Sequence, residues 1–131
     1  MSRSITLALF VSILAMSCNS ESVQLQAYYE SMCPYSMQWF REQLYPTWAE
    51  LKEYMVVDFT PFGNANFTAV GNGWCFMCQH GPDECIGNLY QSCYIDKETD
   101  ANRRVDVINC IMGTDPPYNA TEAVISINIS Y

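Results

Sequence analysis

Between Val23 and Phe59 the hydrophobic period changes twice, and this constrains the chain more than any other feature. Val23, Leu25, Ala27 and Tyr29 alternate with Gln24, Gln26 and Tyr28, the pattern of a strand with one buried face. A polar turn, Glu30-Ser31-Met32, leads to Cys33-Pro34. Proline suits the first turn of a helix, because the N–H it lacks would be unpaired there. From that point Met37, Phe40, Leu44, Trp48, Leu51 and Met55 recur at spacings of three and four, an amphipathic helix. Pro46 is expected to kink or split it. Met55 to Phe59 reads as a second short strand, ended by Pro61, Gly63 and Asn64. The result is a βαβ unit with a cysteine at the start of its helix.

A cysteine in that position has a chemical consequence. The first turn of a helix presents free N–H groups and partial positive charge, and both stabilise a thiolate. Such a βαβ unit is the opening of a thioredoxin-like domain. There a Cys-x-x-Cys turn would carry two sulfurs. Here the turn is Cys33-Pro34-Tyr35-Ser36, so Ser36 holds the place of a second thiol. A hydroxyl cannot resolve a mixed disulfide, although it can donate a hydrogen bond to the Cys33 thiolate.

The N-terminus bears on the redox setting. Arg3, the apolar run Ile5 to Met16, and small residues at Ala15, Ser17 and Ser20 follow the order of a signal peptide. The run is shorter than the roughly 20 apolar residues that span a bilayer. Cleavage after residue 17 retains Cys18, and cleavage after residue 20 removes it. The remainder is expected to be a soluble domain without a membrane span, roughly 110 residues long. The chain carries fourteen acidic residues against six basic ones, a net charge of −8. That balance excludes the basic footprint that nucleic acid requires. Seven cysteines in a secreted chain imply a disulfide framework. Three sequons, at Asn66, Asn119 and Asn128, are consistent with a glycoprotein.

Farther along, Asn64 to Gly73 is polar and glycine-rich and reads as a loop. Residues 74 to 110 hold five of the cysteines, with a short helix expected over Asp83 to Cys93. Asp96 to Arg104 is a charged, exposed stretch, and Val105 to Met112 a short apolar segment. Residues 113–131 form a divergent tail, with Pro116-Pro117 followed by a strand-like run at Val124, Ile125, Ile127 and Ile129.

The stretch Cys78 to Cys93, CQHGPDECIGNLYQSC, resembles the signature of the gamma-interferon-inducible lysosomal thiol reductase (GILT) family. Cys78, Gln79, His80, Gly81, Glu84, Cys85, Asn88 and Cys93 all fall in place. The stretches Tyr28 to Pro34, Gln43 to Trp48 and Pro61 to Ala65 are also similar to the family, and the likeness fades after Cys110. The resemblance implies an α/β fold: a thioredoxin-like βαβ core with a disulfide-rich helical insertion over 74–110, within a domain spanning 21–112. The family's second half, with its cis-proline loop, is expected to be incomplete; Pro117 is the only nearby candidate for that proline.

The resemblance also implies a thiol oxidoreductase that reduces or exchanges disulfides in protein substrates through a Cys33 mixed disulfide. The expected setting is the secretory pathway, either extracellular or lysosomal. No cofactor is expected beyond an external small thiol such as glutathione or cysteine, which would complete the cycle. Cys75 is a second candidate to resolve the intermediate. The alternatives are a catalytically impaired glycoprotein that binds or traps its targets, and an inert disulfide-rich domain.

Cys78, Cys85, Cys93 and Cys110 match the family region and are candidates for two structural disulfides, in any of three pairings. His80 is the only histidine. It reads as a structural hydrogen-bonding residue or, alternatively, as a Cys33 partner. Cys78, His80, Cys85 and Cys93 have the ligand types of a zinc site. Disulfides win in an oxidising compartment, so no metal is expected. Asp83 and Glu84 point apart on a helix, and Glu84 is placed to support the local turn.

Overall fold

A computed structural model of the chain describes residues 21–114. The segment expected to be a signal peptide, with Cys18, the sequons at Asn119 and Asn128, Pro117 and the run expected to form a late strand lie outside these residues.

Strand β1 (Val23–Tyr29) and strand β2 (Met55–Pro61) pair in parallel, from Val23 opposite Met55 to Tyr29 opposite Pro61. Parallel neighbours need a crossover, and a continuous helical run supplies it. The run starts as α1 (Pro34–Trp39), widens to a π-turn over Phe40–Leu44, and continues as α2 (Tyr45–Leu51). The widened turn has a cause in the sequence. Pro46 has no N–H for the carbonyl four residues back, and its ring crowds that carbonyl. A π-turn relieves both problems without breaking the rod. A single 3-10 turn, Lys52–Tyr54, then delivers the chain to β2.

The alternation of β1 buries only its C-terminal end. Ala27 and Tyr29 are buried, whereas Val23 is 61% exposed. The core therefore gathers at the end of the sheet nearest Cys33. Phe40 is wholly buried, edge-on to Tyr29 at 4.8 Å and stacked on Phe59 at 5.8 Å. Burying one such side chain contributes about 1.5–3 kcal/mol.

Helix α3 spans Pro82–Lys97, longer than the Asp83 to Cys93 expected from the sequence. Helix α4 (Ala101–Met112) buries Val105, Ile108, Ile111 and Met112 in the same core. It absorbs the apolar segment and the end of the charged stretch. Asp100 caps it, accepting the N–H groups of Asn102 and Arg103 at 2.9 and 3.1 Å. Trp48 Nε1 donates to Asp106 Oδ1 at 3.0 Å and ties α2 to α4.

The expected loop over Asn64 to Gly73 is instead mostly a hairpin. Strand β3 (Asn66–Val70) pairs antiparallel with β4 (Gly73–Met77) around Gly71-Asn72. Gly71 has φ +58°, as the first central position of a two-residue hairpin turn requires. Rings of Phe62, Phe67, Trp74 and Phe76 contact one another across the hairpin. The whole is an α/β domain whose βαβ unit carries Cys33 where the sequence predicted it. No helix among the described residues is long and apolar enough to cross a membrane.

Candidate active site

Cys33 occupies the N-cap of α1, with Pro34 in the first helical position. Its carbonyl accepts the Met37 N–H at 3.0 Å and so begins the helix. The Cys33 thiol is free and partly exposed. Ser36 lies one turn on, and its Oγ accepts the Glu30 N–H at 3.5 Å. The position of the missing thiol thus holds a hydroxyl turned to the backbone of the preceding turn.

That turn is pinned to α3. Ser31, wholly buried, donates its N–H to Asn88 Oδ1 at 2.9 Å and its hydroxyl to the Glu84 carbonyl at 3.1 Å. Glu30 is also buried, and its Oε1 accepts the Asn64 N–H at 2.6 Å. Tyr29, just before the turn, donates its hydroxyl to Gln91 Oε1 at 2.5 Å. One stripe of α3 (Glu84, Asn88, Gln91) therefore holds the segment Tyr29 to Ser31 that leads into Cys33.

The loop before α3 completes the site. Cys78 and Cys85 form a disulfide with a Cα separation of 5.6 Å, inside the usual bridging range. Gly81 closes the turn between them, its N–H on the Cys78 carbonyl at 3.3 Å. Glu84 is fully buried and accepts the His80 N–H at 3.1 Å, the turn-supporting role anticipated for it. Its other oxygen lies 2.6 Å from His80 Nδ1. The same nitrogen is 3.4 Å from Glu30 Oε2. A ring nitrogen of His80, Cys33 Sγ and a Glu30 carboxylate oxygen all lie within 4.8 Å of one another.

These donor types also serve metals; here protein partners take His80 Nδ1 and Glu30, and Cys33 is a free thiol. Glu84 and Glu30 face Nδ1, and Asn64 takes an oxygen of Glu30. Glu30, His80 and Glu84 form a hydrogen-bonded network beside Cys33. The disulfide likewise removes Cys78 and Cys85 from the zinc set considered with His80 and Cys93.

The structure pairs one of the four signature-region cysteines with another and leaves the other two apart. Cys93 and Cys110 are exposed thiols, so the expected second disulfide is absent among the described residues. The reason is helical phase. Glu84, Gly87, Asn88, Gln91 and Tyr94 form the buried stripe of α3, and Cys93 falls off it. Cys110 lies similarly outside the buried positions of α4. Cys75 is a free, exposed thiol on β4, opposite Thr68. Asn66 is exposed at the start of β3.

Glu30 and the anchoring pair Ser31–Asn88 escaped the sequence reading. A signal existed for Asn88, a fixed polar position of the signature inside an otherwise helical stretch. Burial is what turns such a residue into a clamp, and burial of Ser31 was not legible from a polar turn.

The site is thus a parallel βαβ unit with a half-exposed thiol at its helix start, faced by a disulfide-tied histidine loop. A family profile described as gamma interferon inducible lysosomal thiol reductase (GILT) matches residues 24–125. The chain belongs to the GILT family.

It is 35% identical over 114 residues to a gamma-interferon-inducible lysosomal thiol reductase-like protein of Anopheles gambiae, covering 79% of this chain and 47% of that one. GILT-like protein 1 of Drosophila melanogaster is 34% identical over 110 residues, covering 76% of this chain and 44% of its own. The gamma-interferon-inducible lysosomal thiol reductase of Mus musculus is 38% identical over 78 residues, covering 60% and 32%. The matched region spans less than half the length of each of these relatives.

Proposed function

We propose that this chain is a thiol oxidoreductase of the secretory pathway, extracellular or lysosomal, whose attacking group is Cys33. The observation that carries this reading is the Cys33 thiol at the N-cap of the crossover helix, free and open to solvent. Relatives named as lysosomal thiol reductases support the reaction class. A groove of about 460 Å³, lined by Tyr28, Tyr35, Ser36 and Trp39, runs along the first turns of the same helix.

The chemistry follows from the single sulfur. The Cys33 thiolate attacks one sulfur of a substrate disulfide. A new S–S bond forms, the old one breaks, and the second substrate sulfur leaves as a thiolate. Ser36 cannot displace the substrate from Cys33. An external small thiol such as glutathione or cysteine attacks at Cys33 and frees the substrate, and a second equivalent restores Cys33. The sum is one substrate disulfide reduced and one small-molecule disulfide formed. Cys75 is the internal alternative for this release step, being a free exposed thiol.

Ser36 also favours a second reading. Without a resolving thiol, the mixed disulfide persists wherever external thiol is scarce, and the protein then acts as a trapping glycoprotein. Glycan attachment at Asn66 fits its exposure at the hairpin's edge.

Insulin disulfide reduction across acid and neutral pH tests the reading with wild type, Cys33→Ala and Ser36→Cys. Wild-type activity that needs added glutathione and vanishes in Cys33→Ala supports the single-thiol cycle. Activity in Ser36→Cys alone marks wild type as a trap. Undiminished activity in Cys33→Ala overturns the assignment of Cys33.

A further inference from the structure

We propose that His80 is the proton acceptor and donor for Cys33, and that Glu84 is the positioning residue that orients its ring. This rests on the reading of Cys33 as the attacking thiol. The sequence leaves His80 as a structural residue of the signature or as a partner of Cys33, and the structure brings it near that sulfur. A His80 ring nitrogen stands within 4.8 Å of Cys33 Sγ. That approach is within the reach of one bridging water or of closure around a substrate.

The ring is held for this task. Glu84, fully buried, grips Nδ1 at 2.6 Å and the His80 N–H at 3.1 Å. A carboxylate on Nδ1 fixes the tautomer with the proton there, which leaves the lone pair on Nε2. Only 28% of the His80 side chain is exposed, so the ring has one open side. The titratable groups facing it are Glu30 from the turn after β1, Glu84 from α3, and Cys33. When His80 takes the thiol proton, its positive charge faces two buried carboxylates that compensate it. The Cys78–Cys85 disulfide and the buried Ser31–Asn88 bond keep the histidine loop and the Cys33 turn in register.

The step balances. The Cys33 S–H proton passes to the free nitrogen of His80, and the sulfur electron pair forms the new S–S bond. The pair of the broken substrate bond leaves on the second sulfur, which takes the proton back from His80. The electrophile is the substrate disulfide, which is reduced at the leaving sulfur. With Ser36 in place of a thiol, no second sulfur in the turn stabilises the Cys33 thiolate, and the histidine adds to what the helix start provides.

The test is the pH dependence of iodoacetamide alkylation at each free cysteine of the full chain, followed by peptide mass. Alkylation requires no turnover, so it separates this proposal from the reading of Cys33 as a reductase thiol. A wild type inactive on insulin can still show His80-dependent Cys33 reactivity. In wild type, Cys33 is expected to react faster than the exposed thiols Cys75, Cys93 and Cys110 at acid pH. His80→Gln, with the disulfide intact, is expected to slow Cys33 at the acid end by about tenfold or more and to leave the other three unchanged. Glu84→Gln is expected to shift the Cys33 profile in the same direction by less. A wild-type Cys33 profile that superimposes on those of the other thiols overturns the proposal, whatever the variants do. So does an unchanged Cys33 profile in folded His80→Gln.

Discussion

His80 Nδ1 sits 2.6 Å from Glu84 Oε2, and Glu84 has no solvent exposure at all. A buried carboxylate needs a partner, because desolvating an unpaired charge is costly. His80 is therefore structural and chemical at once: it satisfies Glu84 and stands beside Cys33.

His80→Ala removes that partner. The backbone N–H at residue 80 still reaches Glu84 Oε1, so part of the compensation survives. A stability loss of about 1–3 kcal/mol is expected, measured as a shift of the urea midpoint at unchanged slope. An unshifted midpoint would mean that Glu84 finds other partners without cost.

Cys85→Ser opens the Cys78–Cys85 bridge, which closes a loop with a sequence separation of 7. Closing a loop this short restrains the unfolded chain by about 2–3 kcal/mol. The unfolding free energy of the variant is expected to fall by that amount, read from its lower urea midpoint. The midpoint of wild type under mild reductant is expected to fall with it.

Gly63→Ala is expected to be worse than an ordinary surface change. Gly63 has φ +51°, and a Cβ there meets the Glu30 side chain. Strained backbone of this kind costs about 1–3 kcal/mol, and the displaced Glu30 loosens its bond to the Asn64 N–H. Lower thermal stability together with altered Cys33 reactivity is the expected outcome. A wild-type melting curve would contradict it.

Two buried phenols favour the folded state until the pH becomes strongly alkaline. Burial raises the Tyr94 hydroxyl from 10.0 to about 12, and the Glu98 carboxylate beside it adds to the shift. Burial pushes Tyr29 well upward as well. The folded state favours the neutral form. The contribution is thus complete below about pH 10, where the unfolded phenol begins to ionise, and is lost as pH rises through the folded value. The urea midpoint is expected to fall above about pH 10, in step with the ultraviolet absorbance of tyrosinate. Tyr94→Phe should make that fall shallower.

How much of this was legible in the sequence depended on which force decided each element. The βαβ unit was readable because the period of two in Val23 to Tyr29 and the three-and-four spacing from Met37 to Trp48 are set by burial of one face. Pro46 announced a disturbance, though its form as a π-turn needed the backbone. The β3–β4 hairpin was missed because Asn64, Asn66, Gly71, Asn72 and Gly73 read together as a polar loop. The pair Gly71-Asn72 was the available sign, a two-residue turn with glycine first. The second disulfide was expected from family likeness, and helical phase turned Cys93 and Cys110 outward. A partnership with Cys33 was one of two readings the sequence left open for His80; the approach itself, between residues 47 positions apart, was not legible. It depends on Ser31 and Asn88 locking the two segments together.

The most direct test of the central claim is an acid-quenched trap. The protein is mixed with insulin without external thiol, quenched, alkylated and mapped by peptide mass. A mixed disulfide between insulin and Cys33 is expected, accumulating because Ser36 cannot release it, with the Cys78–Cys85 bridge intact. Adducts on Cys75, Cys93 or Cys110 with Cys33 recovered as the alkylated thiol would contradict it.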